Sequence, residues 1–369
     1  MKHKVLLLTL ALILIASSVA VGCTKEAAPA PATPATPATP ATPPPPAPVK
    51  KIVFNISDSG TMDLASNPNY VNAYIMFQDL EKYYPGQYEL AYHPSSSLYG
   101  DRDAQARVYS GDLDAARSHC GLMLLQSGMI ADNYAMGLFP IFKDFDDNQA
   151  AWLIMGPAMS KEVLEPNGAK WAMGASTWGG PLLLMEDSAS LADFAGRRIR
   201  NPGGDFESDL MKAMGMNPVS VAQAEVQTSL QTGIIDGAWT SLRSIVMGKD
   251  YKIAPYLTPL NMPGVSGQSF LLWSIDSWNQ FPADVQAKLD GEILPHAMDE
   301  AQKPMRLIAE TGLATVLADG AKYSDWSDEA IAEYYEVVTP VVLKYAAKVE
   351  RKYRELVNPY SQIDLLAVD

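Results

Sequence analysis

The order strand–helix–strand–helix–strand occurs twice in this sequence, and it constrains the fold more than any other feature. The first copy runs from "KIVFNIS" (51–57) to "LDAARSH" (113–119), and the second runs from "RRIRN" (197–201) to "IIDGAWT" (234–240). Each copy predicts parallel strands joined by right-handed helical crossovers. The sequence therefore predicts an α/β protein with two lobes, and the most economical place for a ligand site is between them.

Capping signals and apolar periodicity place several predicted helices. Asn67-Pro68 suits the N-cap and the first turn of a helix. In the second copy, Asp205 is expected to cap the helix that follows "RRIRN". The C-terminal part of the chain is mostly helical, with long candidates at 284–310 and 327–356. These long C-terminal helices are expected to lie over both lobes and to back a hinge.

Residues 1–22 are typical of a secretory signal peptide. Lys2 and Lys4 precede an apolar run, Val5–Ala16, that is too short to cross a bilayer. Small residues then lead into Cys23, a pattern that resembles the bacterial lipobox, in which the cysteine becomes the lipidated first residue of the mature chain. Ordinary cleavage nearby, which would leave Cys23 as a free thiol, is the alternative.

Residues 23–50 have the composition of a tether. The stretch "PATPATPATPATPPPP" lacks the aromatic and aliphatic residues that a core requires, and it predicts an extended, polyproline-like chain. With a lipidated Cys23, this tether predicts a periplasmic or extracytoplasmic body that contacts the membrane through its lipid anchor only.

Charge and composition exclude several classes of function. Asp and Glu outnumber Lys and Arg by 42 to 28, so the body is expected to repel nucleic acid and anionic lipid surfaces. Apart from Cys23 only Cys120 remains, so the exported fold is expected to rest on its core rather than on a disulfide. The four histidines show no metal-ligand spacing, and no nucleophile elbow is present. We therefore expect no metal, no cofactor and no catalysis.

Polar residues follow the predicted strands at the ends where ligands bind in open parallel sheets. In the first lobe they are Ser57, Asp58, Arg117 and Ser118, and in the second lobe they are Arg200, Asn201, Trp239 and Thr240. Because the two lobes are expected to face each other, these residues are candidates for the two walls of one cleft.

Five segments carry a resemblance to a known family that extends over nearly all of the body, roughly residues 51–357. They are "SLYGDRDAQARVYSGDLDAA" (97–116), "GLFPIFKDFDDNQAAW" (137–152), "LADFAGRRIRNPGG" (191–204), "MGMNPVSVAQAEVQTSLQTGIIDGAW" (214–239) and "SWNQFPADVQAKL" (277–289). In content and order they resemble the substrate-binding proteins of tripartite ATP-independent periplasmic (TRAP) transporters, of the DctP type. The resemblance implies a two-lobed periplasmic-binding-protein-like fold that closes on a small carboxylate ligand. It also implies delivery to the small and large membrane subunits of an ion-gradient-driven permease.

The resemblance also implies a division of the chain between the lobes. Lobe I is expected to comprise 51–177 and 264–305, and lobe II is expected to comprise 178–263 and 306–369 with the C-terminal helices.

Arg200 is the principal candidate for ligand binding. In the family's "KIRVP"-like motif the arginine pairs with the ligand carboxylate, and "RRIRNP" places Arg200 at that position. A guanidinium suits this role because it offers two parallel donors and stays protonated. Arg197 and Arg198 are expected to be solvated.

The sequence departs from the family pattern at two places. Where many members read "GQEN", this chain reads "GAWTS", so Trp239 is expected either to form an apolar wall over a compact, rather apolar acid or to pack in the hinge core. The region before "RRIRNP" carries no arginine. A dicarboxylate or sugar acid is therefore less expected, unless Arg102 or Arg117 supplies a second positive charge.

Three further residues are candidates near the ligand. Trp178 is expected either to stack on the solute or to pack in the interior. Gly203 lies in an "NPGG" turn directly before a predicted helix, where backbone amides could bind an anionic group. His119 is a candidate contact or a surface residue. Glu225 is expected to order the connection between the lobes rather than to touch the ligand.

Two readings other than transport stay open at this point. One is a ligand-binding partner of a membrane sensor, which would use the same fold. The other is an enzyme, for which the sequence offers no motif.

Overall fold

The strands and helices described below come from a computed structural model that describes residues 51–119, 142–177, 179–260 and 268–368. The described strands, in chain order, are β1 Ile52–Ser57, β2 Tyr88–His93, β3 Ala115–His119, β4 Ala169–Ser176, β5 Leu182–Leu184, β6 Arg198–Asn201, β7 Asn217–Ser220, β8 Gly237–Trp239, β9 Tyr256–Leu257, β10 Gln268–Ser274 and β11 Lys322–Tyr323. They form two sheets, which agrees with the predicted two-lobed α/β fold.

The α-helices lie between and after these strands. In chain order they are α1 Pro68–Tyr83, α2 Asp101–Ser110, α3 Phe145–Met159, α4 Asp205–Ala213, α5 Val226–Gln231, α6 Leu242–Gly248, α7 Ile275–Trp278, α8 Ala283–Lys288, α9 Leu294–Ala318, α10 Asp328–Ala346 and α11 Arg351–Val357. Single π-helical turns span Ser160–Leu164 and Leu289–Ile293. Short 3₁₀ turns span Glu165–Asn167, Leu191–Phe194, Gln223–Glu225, Asp250–Lys252 and Asn358–Tyr360. Within the described ranges, no helix combines the length and the apolar character needed to cross a membrane.

The first sheet has the strand order β2-β1-β3-β10-β4. Strand β1 pairs in parallel with β2 and β3, so the first predicted strand–helix repeat is confirmed. Strand β10 comes late in the chain but lies between β3 and β4, antiparallel to both. The helix predicted at Asn67-Pro68 is also confirmed, because the Asn67 side chain accepts hydrogen bonds from the amides of Asn69 and Tyr70.

The second sheet has the order β11-β9-β5-β8-β6-β7, in which β6 pairs in parallel with β7 and β8. This pairing confirms the second repeat and places Arg200 between Val219 and Ala238. The predicted cap was wrong by one residue, because Gly204 is the N-cap of α4 and Asp205 is its first residue. Gly204 has a φ of +102°, a conformation that glycine adopts without the steric cost of a side chain.

The long C-terminal helices are present but are shorter than predicted. The first candidate divides into α8, a π-helical turn and α9, and the second divides into α10 and α11. Helix α9 packs on strand β4 of the first sheet and on α1 beside that sheet. It also packs on α6, which lies beside the second sheet. Helix α10 packs on α4, whereas α11 packs on α3. The C-terminal region therefore contacts elements of both lobes, and the predicted division of the chain at 306 stays a prediction.

One contact of α3 gives a stability test. A Cβ atom added at Gly156 would lie 2.6 Å from the ring of Trp171 in β4. We expect Gly156→Ala to lower the free energy of unfolding by about 1–3 kcal/mol, because a packed core resists an added methyl group. Urea unfolding measures the change.

Gly291 provides the matched control for this test. It lies in the helical segment Leu289–Ile293, and an added Cβ would meet no heavy atom within 4 Å. Gly291→Ala is expected to be neutral or to stabilise by up to about 1 kcal/mol, because alanine loses less backbone entropy in a helix. Equal stabilities of the two variants would contradict the packing assigned to α3.

Candidate functional site

A cavity of about 570 Å³ is lined by residues of both sheets and of the helices that follow their strands. Its ionisable lining residues are Asp101, Arg102, Asp103, Arg117, His119, Arg200, Glu207, Glu225 and Arg243. Hydroxyl side chains supply much of the rest, from Ser59, Ser96, Thr177, Ser220, Thr240, Ser241, Ser244 and Ser269. The described lining contains no Phe, Tyr or Trp. The cavity therefore suits a polar anion better than an apolar one.

Arg200 lies in this cavity near the carboxyl end of β6, with 6% of its surface exposed. Its Nε donates to the carbonyl of Val221 at 3.0 Å, and its Nη1 donates to the carbonyl of Trp239 at 2.9 Å. Among the described residues, no carboxylate lies within ion-pair distance of its guanidinium. Burial, followed by repulsion from Arg117, lowers the pKa of Arg200 to about 10. The side chain therefore stays charged at neutral pH without a counter-ion.

Arg117, in the middle of β3, is neutralised within the first lobe. Its guanidinium donates to Asp101 and to the Ser59 hydroxyl, the latter at 2.8 Å, and its Nε lies 3.9 Å from Asp58. Asp58 in turn accepts hydrogen bonds from Asn67 Nδ2 at 2.7 Å and from a tyrosine hydroxyl. Burial lowers the pKa of Arg117, but the two carboxylates outweigh burial and raise it. This network fixes the guanidinium in the cavity wall.

Arg243 is a cavity residue that the sequence analysis missed. It lies in the first turn of α6, soon after β8 ends, and its Nε donates to the carbonyl of Ser66 at the start of α1. Burial, followed by repulsion from Arg117, lowers the pKa of Arg243 to about 10. The same strand-end rule that selected Thr240 would have found Arg243 three residues later.

Glu207 was also missed. Glu207 lies on α4, is fully buried and belongs to the cavity lining, and neither of its carboxyl oxygens accepts a hydrogen bond of normal geometry from the described residues. Burial raises the pKa of Glu207 to about 8, and the nearby Arg200 opposes this shift only in part. The sequence could have indicated this burial, because Glu207 precedes Leu210 and Met211 by three and four residues and therefore shares their helix face.

The structure brings four predicted site residues to the cavity and leaves five outside its lining. Those in the lining are Arg102, Arg117, Arg200 and Thr240. Those outside it are Ser57, Asp58, Ser118, Gly203 and Trp239. Their roles as direct ligand contacts are therefore not supported by the geometry.

Contacts within the protein account for four of the five residues that lie outside the cavity lining. The Ser57 hydroxyl donates to the Tyr99 carbonyl at 3.1 Å, and the Ser118 hydroxyl accepts from Gln105. The Gly203 amide donates to Asn201 Oδ1 at 2.8 Å, so that this amide serves the turn. Asp58 acts on the cavity through Arg117.

For Trp239 the structure supports the second of the two expected placements, packing in the core. Its indole is fully buried in the hydrophobic cluster that includes Ile199 and Phe206, so it packs in the interior instead of forming a wall of the cavity. Only its carbonyl reaches the site, through Arg200. The expectation of a compact, rather apolar acid therefore loses its basis.

Several other predicted residues have different outcomes. Trp178, Cys23 and Cys120 lie outside the described residues. His119 and Glu225 line the cavity, and burial, followed by Arg117 and Arg200, lowers the pKa of His119 well below its ordinary value. Within the described ranges, no cluster of three or more His, Cys, Asp or Glu side chains has the arrangement of a metal site.

The buried carboxyl of Glu207 predicts a pH-dependent stability. An unfolded glutamate ionises near pH 4.5, whereas folding raises the pKa of Glu207 to about 8. Between these values the folded state binds more protons than the unfolded state, so this residue makes stability fall as pH rises. We expect Glu207→Gln to leave the melting temperature near that of the wild type at pH 5 and to raise it at pH 8.5. If the melting temperatures of the variant and the wild type differ by the same amount at both pH values, the carboxyl of Glu207 does not bind a proton on folding.

Comparisons with known proteins agree with this architecture. The family profile described as bacterial extracellular solute-binding protein, family 7 (DctP), matches residues 60–348. The C4-dicarboxylate-binding periplasmic protein DctP of Rhodobacter capsulatus is 24% identical over 283 residues, which cover 72% of this chain and 79% of that protein.

Solved structures show the same fold. A TRAP periplasmic solute binding protein from Shewanella oneidensis, with bound succinate, has a TM-score of 0.74 at 19% identity, covering 85% of this chain and 100% of that one. A second, from Desulfovibrio salexigens with bound orotic acid, has a TM-score of 0.73 at 18% identity, covering 84% and 97%. The profile match extends over most of the chain. The chain therefore belongs to family 7 of the bacterial extracellular solute-binding proteins, the DctP family.

Proposed function

We propose that this protein captures a small organic acid anion in the cavity and that Arg200 pairs with its carboxylate. The observation that carries the proposal is the buried Arg200 guanidinium, which has no carboxylate partner among the described residues although it lines a 570 Å³ cavity. The relatives solved with succinate and with orotic acid support the ligand class, since both are carboxylic acids.

The energetics of Arg200 support ligand pairing. A buried charge without a partner is unfavourable, and a bound carboxylate would compensate it through charge-assisted hydrogen bonds of about 1.5–3 kcal/mol each. The carbonyls of Val221 and Trp239 hold the guanidinium in place, so that little side-chain entropy is lost when the ligand binds. The site is therefore preorganised for an anion.

Closure of the two lobes is the second part of the proposal. Two hydrogen bonds already join the walls of the cavity, from Arg102 Nη2 to the Ser220 hydroxyl at 3.4 Å and from Arg243 Nε to the Ser66 carbonyl. A ligand that contacts both walls would add to these bonds and favour the closed arrangement.

Delivery and anchoring complete the proposed function. Membership of the family supports delivery of the ligand to the small and large membrane subunits of a TRAP permease, and it supports solute binding rather than enzymatic turnover. The sequence pattern before Cys23 supports a lipid anchor on an extracytoplasmic membrane surface. No observation on the described residues favours a role as the partner of a membrane sensor.

Substitution of Arg200 tests ligand capture. A thermal-shift panel of monocarboxylic, dicarboxylic, 2-oxo, hydroxy and sugar acids selects the best ligand, since a binder raises the melting temperature by mass action. We expect Arg200→Gln to lower the affinity for that ligand at least about a hundredfold in calorimetry, because the buried ion pair is lost.

X-ray scattering tests closure of the two lobes. The wild-type protein should show a smaller radius of gyration with the ligand than without it.

Arg197→Gln is the matched control for Arg200. Arg197 is three residues away and donates to the carbonyls of Glu186 and Asp187 outside the cavity lining. We expect this variant to bind like the wild type. Near-native affinity of a folded Arg200→Gln protein, checked by its melting temperature, would refute the assignment.

The lipid anchor has an independent test. The mass of the mature N-terminal peptide is expected to show acyl chains on Cys23, and Cys23→Ser is expected to release the protein from membranes. A mature chain that carries an unmodified Cys23, or that begins elsewhere, would contradict the anchor.

A further inference from the structure

Glu207 and Arg200 are an acidic and a basic residue of the same cavity lining, and both are buried. Glu207 lies in the first turn of α4, the next helix after the strand β6 that carries Arg200. Neither carboxyl oxygen of Glu207 accepts a hydrogen bond of normal geometry from the described residues. Within the described ranges its carboxyl also forms no ion pair, although the charge of Arg200 acts on it over a longer distance. The lining therefore contains a buried acid that the described protein groups leave unpaired.

Burial of this carboxyl favours its protonated form. An ionised carboxylate loses its hydration on burial, and here no hydrogen-bond donor or close cation replaces the lost water. A place in the first turn of a helix favours a negative charge, but burial outweighs this effect and raises the pKa of Glu207 to about 8. The folded protein therefore carries a proton on Glu207 at neutral pH and releases it as the pH rises through about 8.

The charged groups around Glu207 lie on α4 itself and on elements that pack against it, which include β6, β7 and α10. Strand β7 has no ionisable side chain. The other ionisable residues of α4 and β6, with those of α10 that bond α4, are Asp205, Asp209, Lys212, Arg198, Arg200, Lys344 and Tyr345.

Two of these residues shift the pKa of Glu207. Asp205 adds to the effect of burial and raises this pKa, whereas Arg200 lowers it. Asp209, the next acid along the helix, is paired with Lys344 instead. The ionisation of Glu207 therefore depends on the positive charge that Arg200 presents to it.

A solute carboxylate that pairs with Arg200 changes this balance. Its negative charge offsets the positive charge that favours ionised Glu207. The liganded protein then holds the proton on Glu207 more tightly than the free protein does. Linkage makes the effect reciprocal, so protonation of Glu207 raises the affinity for the solute by the same factor.

We propose that Glu207 is a proton-binding site coupled to the ligand cavity, so that capture of a carboxylate solute takes up a proton from solution. The proton bonds to a carboxyl oxygen of ionised Glu207, and its positive charge balances one negative charge of the solute. The net charge of the buried site then stays constant when the solute enters. This inference rests on the proposed function, and it adds a second species that binds together with the solute. Glu207 acts through the charge of Arg200 and requires no contact with the solute.

Calorimetry tests the coupling directly. Binding of succinate, and of whichever acid of the thermal-shift panel binds most tightly, is measured at pH 8.5 in two carboxylate-free buffers that differ in ionisation enthalpy. The dependence of the binding heat on the buffer gives the number of protons taken up. We expect about 0.5–0.8 proton per molecule of solute. At this pH Arg200 stays almost fully charged and His119 stays neutral, so neither residue supplies the signal.

The pH dependence of the affinity gives a second readout. For the wild type we expect the affinity for the same acid to fall about five- to tenfold from pH 7 to pH 9, because Glu207 of the free protein ionises in this range. Glu207→Gln keeps the shape of the side chain but cannot titrate. We expect this variant to take up less than about 0.1 proton and to change its affinity less than about twofold over the same range.

Asp209→Asn is the matched control on the same helix. Asp209 lies outside the cavity lining, and its carboxylate accepts hydrogen bonds from Lys344 and Tyr345, which lower its pKa. This carboxylate is therefore ionised at pH 8.5 whether or not solute is bound. We expect the variant to take up as many protons as the wild type.

The outcomes separate this proposal from the proposed function. If the wild type binds the acid without taking up protons, or if Glu207→Gln takes up as many protons as the wild type, the coupling to Glu207 is refuted. Loss of binding in Arg200→Gln would in that case leave the proposed function standing. If Arg200→Gln binds like the wild type, or if no acid of the panel binds, both proposals fail. The measurement on the wild type decides the proposal even if a variant does not fold.

Discussion

The buried guanidinium of Arg200 is the constraint on which the rest of the site depends. Its Nε donates to the carbonyl of Val221, directly after β7, and its Nη1 donates to the carbonyl of Trp239, the last residue of β8. Both strands pair with β6. Removing this charge from water is unfavourable unless an anion pairs with it. The second sheet therefore positions a buried cation that has no carboxylate partner among the described residues.

In the first lobe, carboxylates of the protein itself compensate the charge of the cavity arginine. Asp58 connects the end of β1 to the cap of α1 through Asn67, and it also lies near Arg117. Arg117 is thereby oriented and neutralised before any ligand arrives. The two lobes thus present unequal walls, one with a compensated arginine and one with two arginines that have no carboxylate partner in the described part of the chain.

Local patterns in the sequence predicted the scaffold well. The two strand–helix repeats, the cap at Asn67 and the position of Arg200 at the end of a buried strand all follow from nearest-neighbour chemistry. The sequence left a residue's role open, or missed it, where that role depends on distant packing. For Trp239 two placements stayed open, and the fold decided between them: its indole lies in the interior cluster and only its carbonyl reaches Arg200. Arg243 and Glu207 were missed because their place in the cavity lining depends on which side of the cavity their helices occupy.

The sequence by itself determined the α/β class, the two repeats and the place of Arg200 near the end of a strand, because helix caps, β-branched runs and strand ends are read from adjacent residues. Only the tertiary structure decided that β10 lies between β3 and β4, that α9 spans both sheets and that Arg243 shares a cavity with Arg200. The physical reason is that burial and charge compensation are properties of three-dimensional neighbours. An arginine is neutralised or uncompensated according to which carboxylates folding brings within reach, and the linear order of residues does not fix that distance.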